Sequence, residues 1–261
     1  MINGYYDAAG GMVTQFNRLN VVSNNLANVN TAGFKQDDII ISDYERIFNE
    51  KRDKLPLENN TQEAARFLNR NINKVPIISS EYTNFSIGNI QRTGNPLDIA
   101  LKQKDSFFVI NANGQKITRA GNFNLDDKGF LINKEGFKVL DTKNNPIQIP
   151  LNAKKITIDK NANIYADGQK IATLQIVSIK NLNTLKKVGD NMWKFNPNDA
   201  KIATNNTTLQ GFLEKSNVNP IKEMTELIDT NRLVEQYQKV MTTFMDDLNR
   251  DAIEKLATTR A

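Results

Sequence analysis

Apolar residues recur in steps of three and four at the two ends of the chain, and not between them. The first stripe runs through Ile2, Tyr5, Ala9, Met12, Phe16, Leu19, Ser23 and Leu26, with Ser23 as its polar interruption. The second runs through Leu227, Thr230, Val234, Tyr237, Met241, Phe244 and Leu248, and Ile253 and Leu256 extend it. A helix with this spacing carries its apolar side chains along one seam and needs another helix to lie against. Pro220 suits the first turn of the second helix. Asn30, Thr31 and Gly33 close the first, because a Gly just past a helical pattern fits the left-handed position there. Two such helices at opposite ends of one chain imply that the termini meet.

The middle has another rhythm. From Val75 onward, short apolar runs such as Ser106 to Ile110, Gly129 to Ile132 and Leu174 to Ile179 alternate with turn signals at Asn95-Pro96, Asn113-Gly114, Glu135-Gly136 and Asp167-Gly168. That pattern predicts antiparallel strands. Between Gln36 and Lys74 the chain is charged and poorly periodic. Ile39, Ile40 and Ile41 predict a short strand, and Tyr44, Ile47 and Phe48 a helical turn. The rest reads as a connecting segment of low intrinsic order, longer than an ordinary loop. The expected architecture is therefore α+β, with terminal N- and C-helices paired as a coiled-coil-like domain and a central antiparallel β domain. Its boundaries are 1–34 for the N-terminal helix of the core domain, 35–74 for the connection, 75–217 for the β domain and 218–261 for the C-terminal helix.

Chemistry is narrowed by two zeros. The chain of 261 residues has no Cys and no His. Disulfides, thiolate ligands, Cys nucleophiles, Ser-His-Asp catalysis and most zinc sites are thereby excluded. Asp159, Asn161 and Asn163 match the first three ligand positions of a calcium-binding EF-hand loop. Ile164 then stands where the turn Gly is needed and Lys170 where the bidentate Glu belongs, so a turn with Asx hydrogen bonds is the better account. The pairs Asp126-Asp127 and Asp246-Asp247 are adjacent, point in different directions, and lack the apolar setting that raises a glycosidase acid. No phosphate-cradling or dinucleotide motif is present. The expectation is a protein without cofactor or metal that is not an enzyme.

The net charge of +5 raises nucleic acid as a partner. Against it, the lysines are scattered among acids, with no stacking-aromatic motif and no base-reading helix, so nucleic acid is not expected. No apolar run is long enough to span a bilayer. A basic stretch leading into an apolar one is also missing at the N-terminus, so neither membrane insertion nor a cleaved signal peptide is expected.

The wording of five stretches carries a resemblance. NNLANVNTAGFK, from Asn24 to Lys35, resembles the N-terminal signature of the flagellar axial proteins, the family of bacterial rod and hook subunits. TGNPLDIAL from Thr93, FFVINANG from Phe107 and TRAGNFNLDDKGFLINKEGFKVL from Thr118 resemble that family's central domain. GFLEKSNVNPIKEMTELI from Gly211, with Asn231-Arg232 and Glu235 after it, resembles its C-terminal signature. The family commonly has Gly-x-Gly before the Phe-Phe pair, where this chain has Lys104-Asp105-Ser106, and a familiar aromatic is here Val234. The first departure leans towards a proximal rather than a distal rod subunit.

The resemblance implies a structural subunit of the flagellar basal-body rod that polymerises through its terminal helices into a drive shaft. Its implied partners are copies of itself, other rod proteins and the flagellar type III export apparatus, and its implied place is the periplasmic rod. It also implies subunit-interface residues. At the N-terminal junction these are Asn24, Asn25, Leu26, Ala27, Asn28, Thr31, Gly33, Phe34 and Lys35. At the C-terminal one they are Glu214, Ser216, Asn217 and Val218, continued on the helix by Val234, Tyr237, Met241, Phe244 and Leu248. The alternatives are a distal-rod or hook-type axial subunit, a peptidoglycan hydrolase associated with rod assembly, and a nucleic-acid-binding module.

Overall fold

A helix opens the chain and a longer one closes it, with strands between them. The computed structural model describes residues 2–43, 76–203 and 208–258. Helix α1 spans Ile2–Ala27, and α2 spans Pro220–Thr258, beginning on its proline. The central region is antiparallel β. Ile39 to Ile41 lie in β1 (Asp37–Asp43), while the turn expected at Tyr44, Ile47 and Phe48, like most of the connecting segment, lies outside the described residues. Among the described residues no helix is long and apolar enough to cross a membrane.

The chain falls into two compact units. One gathers Met1–Leu26, Asp37–Tyr82 and Pro220–Ala261, and the other gathers Ala27–Gln36 and Thr83–Asn219. In the first, the two helices touch in reverse order along the chain. The Phe244 ring lies over Gly4, where an added methyl would come within 2.8 Å of its Cζ, and the Tyr237 ring lies over Gly11, where the distance would be 2.5 Å. Further along, Arg18 Nη2 pairs with Glu226 Oε1 at 2.6 Å, and Asn25 donates to Glu223 Oε2 at 3.2 Å. Gly4, Gly11, Arg18 and Asn25 are spaced by sevens, and Ala8, Gln15 and Val22 are buried beside them.

This seam differs from the stripe predicted for α1. Phe16, a member of that stripe, is 40% exposed, and its neighbours Tyr6 and Val13 are 63% and 57% exposed. Tyr5, Ala9, Met12 and Leu19 are only half-buried. At roughly 100° per residue the predicted stripe is centred about a third of a turn around the helix from this seam. Ring size explains the choice: Phe244 and Tyr237 fill space that only a missing side chain leaves, so close approach selects the glycine face. On α2 the predicted stripe is the less exposed side, with Thr230 and Val234 buried and Leu227, Tyr237, Met241, Phe244 and Leu248 half-buried.

Strand β1 pairs with β2 (Pro76–Thr83). Two polar side chains of α1 hold this pair. The Thr14 hydroxyl donates to the Pro76 carbonyl at 2.8 Å, and the Asn25 amide accepts from the Asp37 N–H at 3.0 Å while donating to its carbonyl at 2.8 Å.

The second unit begins with β3 (Ile90–Arg92) and β4 (Ile99–Leu101), then enters a nine-stranded sheet. Its centre is β5 (Ser106–Asn111) and β6 (Gln115–Thr118), with the short β7 (Asn124–Leu125), β8 (Leu131–Ile132) and β9 (Lys138–Val139) beside them. A separate three-stranded sheet follows, made of β10 (Ile156–Ile158), β11 (Asn163–Ala166) and β12 (Gln169–Thr173). The chain returns to the large sheet through β13 (Ile176–Ile179), β14 (Lys186–Gly189), β15 (Met192–Lys194) and β16 (Ala200–Ile202). Finally β17 (Thr208–Gln210) pairs with β4 and β18 (Phe212–Glu214) with β3, which sets Thr208 opposite Leu101 and Glu214 opposite Ile90.

Strand β5 reads Ser-Phe-Phe-Val-Ile-Asn without polar alternation because both of its faces are covered. Phe107 and Val109 enter one core with Phe85, Ile117, Val177 and Trp193. Phe108 and Ile110 enter another with Phe123, Leu131, Ile164 and Ile176. The rings of Phe85, Phe107 and Trp193 form a triangle with centroids 5.6 to 6.0 Å apart.

Candidate functional site: a buried ion cluster that fastens the ends of the β unit together

The segment leaving α1 folds back at once. Thr31 donates from its N–H to the Asn28 carbonyl and from its hydroxyl to the Asn28 side chain, both at 3.0 Å. Gly33 follows with φ +66, a left-handed backbone that a side chain resists. A methyl there would also fall within 2.5 Å of the Arg119 and Ala120 backbone. The Gly33 N–H donates to the Glu214 carbonyl at 2.7 Å. The backbone geometry thus carries Phe34 and Lys35 inward, where both are buried. Lys187 Nζ sits 4.6 Å from the centre of the Phe34 ring, a cation–π contact.

Lys35 ends in a cluster of three charges. Its Nζ donates to Glu214 Oε1 and to the Ser86 carbonyl, each at 2.6 Å. Oε1 also accepts from the Gly88 N–H at 3.0 Å. The other carboxylate oxygen, Oε2, takes a two-pronged contact from Arg119, with Nε at 2.9 Å and Nη2 at 2.5 Å. The remaining Arg119 nitrogen, Nη1, donates to the carbonyls of Gln103 and Ser106, the latter at 2.6 Å. Side-chain exposure is 0% for Lys35 and Arg119 and 1% for Glu214. Each carboxylate oxygen accepts two bonds, which meets the condition for keeping its charge out of water.

The Lys104-Asp105-Ser106 departure belongs to this cluster. Its turn presents the Gln103 and Ser106 carbonyls to Arg119, and Asp105 adds an attractive field on the guanidinium. Asp105 is itself held by the Ser178 hydroxyl at 2.5 Å.

Burial lowers the pKa of Lys35 from its ordinary 10.5, with the Glu214 charge opposing that shift. Burial lowers Arg119 likewise, again against the pull of Glu214.

A second strap lies alongside. Asn217 accepts the Gln36 N–H on Oδ1 at 2.8 Å and donates through Nδ2 to the Asn84 carbonyl at 2.7 Å and the Ser86 hydroxyl at 3.0 Å. Asn84 N–H returns a bond to the Gln36 carbonyl at 2.8 Å. The Ser216 hydroxyl accepts from the Val218 N–H at 3.3 Å, and both residues are buried.

Of the residues implicated by resemblance, Gly33, Phe34, Lys35, Glu214, Ser216, Asn217 and Val218 are gathered here. Asn25 is buried in the other unit, where burial raises the Glu223 carboxyl beside it above the usual carboxylate range. Leu26, Asn28 and Thr31 are half-buried, and Asn24 and Ala27 are exposed. Val234, Tyr237, Met241, Phe244 and Leu248 lie along α2, away from the cluster in sequence. Arg119 and Glu223 are the members that sequence reasoning missed. Among the described residues no group of three or more Asp or Glu side chains is placed to hold a metal ion.

Comparison with known proteins gives three segment matches. Residues 6–35 match the family described as flagella basal body rod protein, residues 103–166 the flagellar hook protein FlgE/F/G D1 domain, and residues 209–254 the flagellar basal body rod FlgEFG protein C-terminal family. Lys35, Arg119 and Glu214 fall one in each. Over its length the chain is 30% identical to the flagellar basal-body rod protein FlgF of Caulobacter vibrioides, across 98% of both chains. It is 29% identical to the flagellar basal-body rod protein FlgG of Bacillus subtilis, across 93% of this chain and 95% of that one. Identity to the FlgF protein of Rhizobium meliloti is 28% across 100% of both.

Proposed function

We infer the function from one premise: this chain belongs to the family of flagellar basal-body rod proteins. It is a structural subunit of the bacterial flagellar basal-body rod. Its terminal helices, on our reading, are the polymerising part. The observation that carries this is the outward apolar side of α1, with Tyr6, Val13 and Phe16 exposed. Ile221, Met224 and Ile228 make a second uncovered patch, spaced to share one side of α2. Apolar faces left open on two helices of one molecule are covered when copies pack together. A heterologous contact that does not close into a ring then builds a helical filament.

On this reading residues 1–34 and 218–261 form a coiled-coil-like core domain, 35–74 connect it, and 75–217 form a β domain. Asn24, Leu26, Ala27, Asn28 and Thr31 offer contacts to neighbouring subunits, together with the α2 positions Tyr237, Met241, Phe244 and Leu248. Lys35 and Glu214 shape the joint from inside the subunit. The chain transmits torque as part of a shaft, has no catalytic role, and assembles with its own copies and other rod proteins. It reaches the periplasm through the type III export apparatus without a cleaved signal. The Lys104-Asp105-Ser106 turn supports a proximal position. A hydrolase role finds no support in the relatives above, which are named as rod proteins.

Gene deletion followed by imaging of isolated basal bodies tests the reading. Rods absent or cut short just above the export ring are the expected result. A rod that stops before the outer rings moves the subunit to the distal position, and complete rods without hooks move it to the hook. Complete basal bodies bearing hooks overturn the proposal.

A further inference from the structure

We propose that Glu214 gates the folding of the β unit: Lys35 and Arg119 enter the interior only as Glu214 docks between them. One residue accepts five bonds at this point, two of them from Arg119. Its carbonyl takes the Gly33 N–H, and its carboxylate takes Lys35, Arg119 and the Gly88 N–H. Without it, two fully buried cations face each other with neutral carbonyls, the Phe107 ring and the Asp105 field for company. Carbonyl dipoles do not offset the desolvation of two like charges, so the cations stay in water until the anion arrives.

The backbone repeats the argument. The segment that carries Glu214 also supplies β17 and β18, the partners of β4 and β3. It lies so close to Gly88 that a methyl there would come within 2.0 Å of the Lys215 carbonyl oxygen. A chain produced from its N-terminus therefore holds its apolar β5 and β6 together with two unpaired strands and two unpaired cations, and the last segment resolves all of these in one step. Glu214 is consequently part of the structure at the folding barrier, whereas an ordinary stabilising pair would form after it. The inference concerns how the β unit forms and does not depend on assembly.

The test is stopped-flow refolding and unfolding of the full chain, read by the fluorescence of Trp193, the single Trp, which is buried in this unit. In Glu214→Gln the refolding rate is expected to fall by about tenfold or more, with the unfolding rate changed by less than about twofold. If most of the lost stability appears as faster unfolding, the gate is overturned. Should Glu214→Gln fail to bury Trp193, Glu214→Asp, which keeps the charge on a shorter stem, carries the same criterion. The Lys35→Gln/Glu214→Gln double variant removes one of the waiting cations and should refold faster than Glu214→Gln alone. No recovery in the double variant also overturns the proposal.

Discussion

Lys35 and Glu214 stand 179 positions apart in the chain and 2.6 Å apart in space, with Arg119 on the other oxygen of the same carboxylate. The three charges are not equal in what they hold. Lys35→Met leaves Glu214 with Arg119 and the Gly88 N–H, so the loss is that of hydrogen bonds to a charged group, about 1.5–3 kcal/mol. Arg119→Met strips one carboxylate oxygen of its two-pronged donor and takes the guanidinium from the Gln103 and Ser106 carbonyls, so about 3–5 kcal/mol is expected. Urea unfolding followed through Trp193 gives both values, and the reverse order would refute the roles assigned here.

Two glycines with similar backbones make a matched pair. Gly33 has φ +66 and no room, while Gly94 has φ +79 and nothing within 4 Å of an added methyl. Gly94→Ala should cost only the left-handed backbone, about 1 kcal/mol. Gly33→Ala adds a clash with the Arg119 and Ala120 backbone, and should cost at least about 1–3 kcal/mol more. Equal losses in the two variants would mean that the turn after α1 can move without disturbing the cluster.

The two sides of α1 can be separated by substitution. Phe16→Ser and Val13→Ser alter exposed residues, so each should leave the unfolding free energy of the isolated chain within about 0.5 kcal/mol of wild type. Both should nonetheless weaken assembly into rods, scored by motility and by electron microscopy of basal bodies. Gly11→Val should do the opposite first: it drives a branched side chain into the Tyr237 ring and destabilises the helices within the subunit. Normal rods from the Phe16→Ser/Val13→Ser double variant would exclude that side as a contact surface.

Glu223 gives a pH dependence of defined sign. Burial raises its carboxyl pKa from 4.5, so the folded chain keeps this proton to a higher pH than the unfolded chain does. Its contribution is fully present below the unfolded value and is lost as pH rises through the folded one. Glu223→Gln, which keeps an acceptor for Asn25, should therefore be more stable than wild type at neutral pH. The advantage should shrink as pH falls towards 4.5. Thermal unfolding monitored by helical circular dichroism across that range is the measurement, and a gap that widens on acidification would reverse the assignment.

The helices, the strand-rich middle and both signature segments are legible in the sequence because each leaves a local trace. Periodicity marks α1 and α2, and glycine and asparagine turns mark the strands. What periodicity cannot supply is the partner. The apolar residues of α1 announce a contact, yet α2 packs on Gly4 and Gly11, and an absent side chain leaves no mark in an apolar pattern. The cluster is similar. Lys35 and Glu214 are each singled out by motif, but their meeting depends on β18 pairing with β3, a long-range closure. Arg119 leaves no periodic trace, and its only hint is the small company it keeps, Ala120 and Gly121, where a methyl on Gly121 would strike the Ile99 carbonyl oxygen at 1.7 Å.

The fastening of Lys35 to Glu214 has a mechanical consequence. Tension applied between the segment that enters the β unit and the segment that leaves it closes through this ion cluster and the Asn217 strap. The nine-stranded sheet meets that path only where Ser106 of β5 and Arg119, just past β6, enter the cluster. Insertions or deletions in the turns from β7 to β13 change the bulk of the β unit without lengthening the route that force takes between its two ends, so the resistance there rests on a handful of polar bonds.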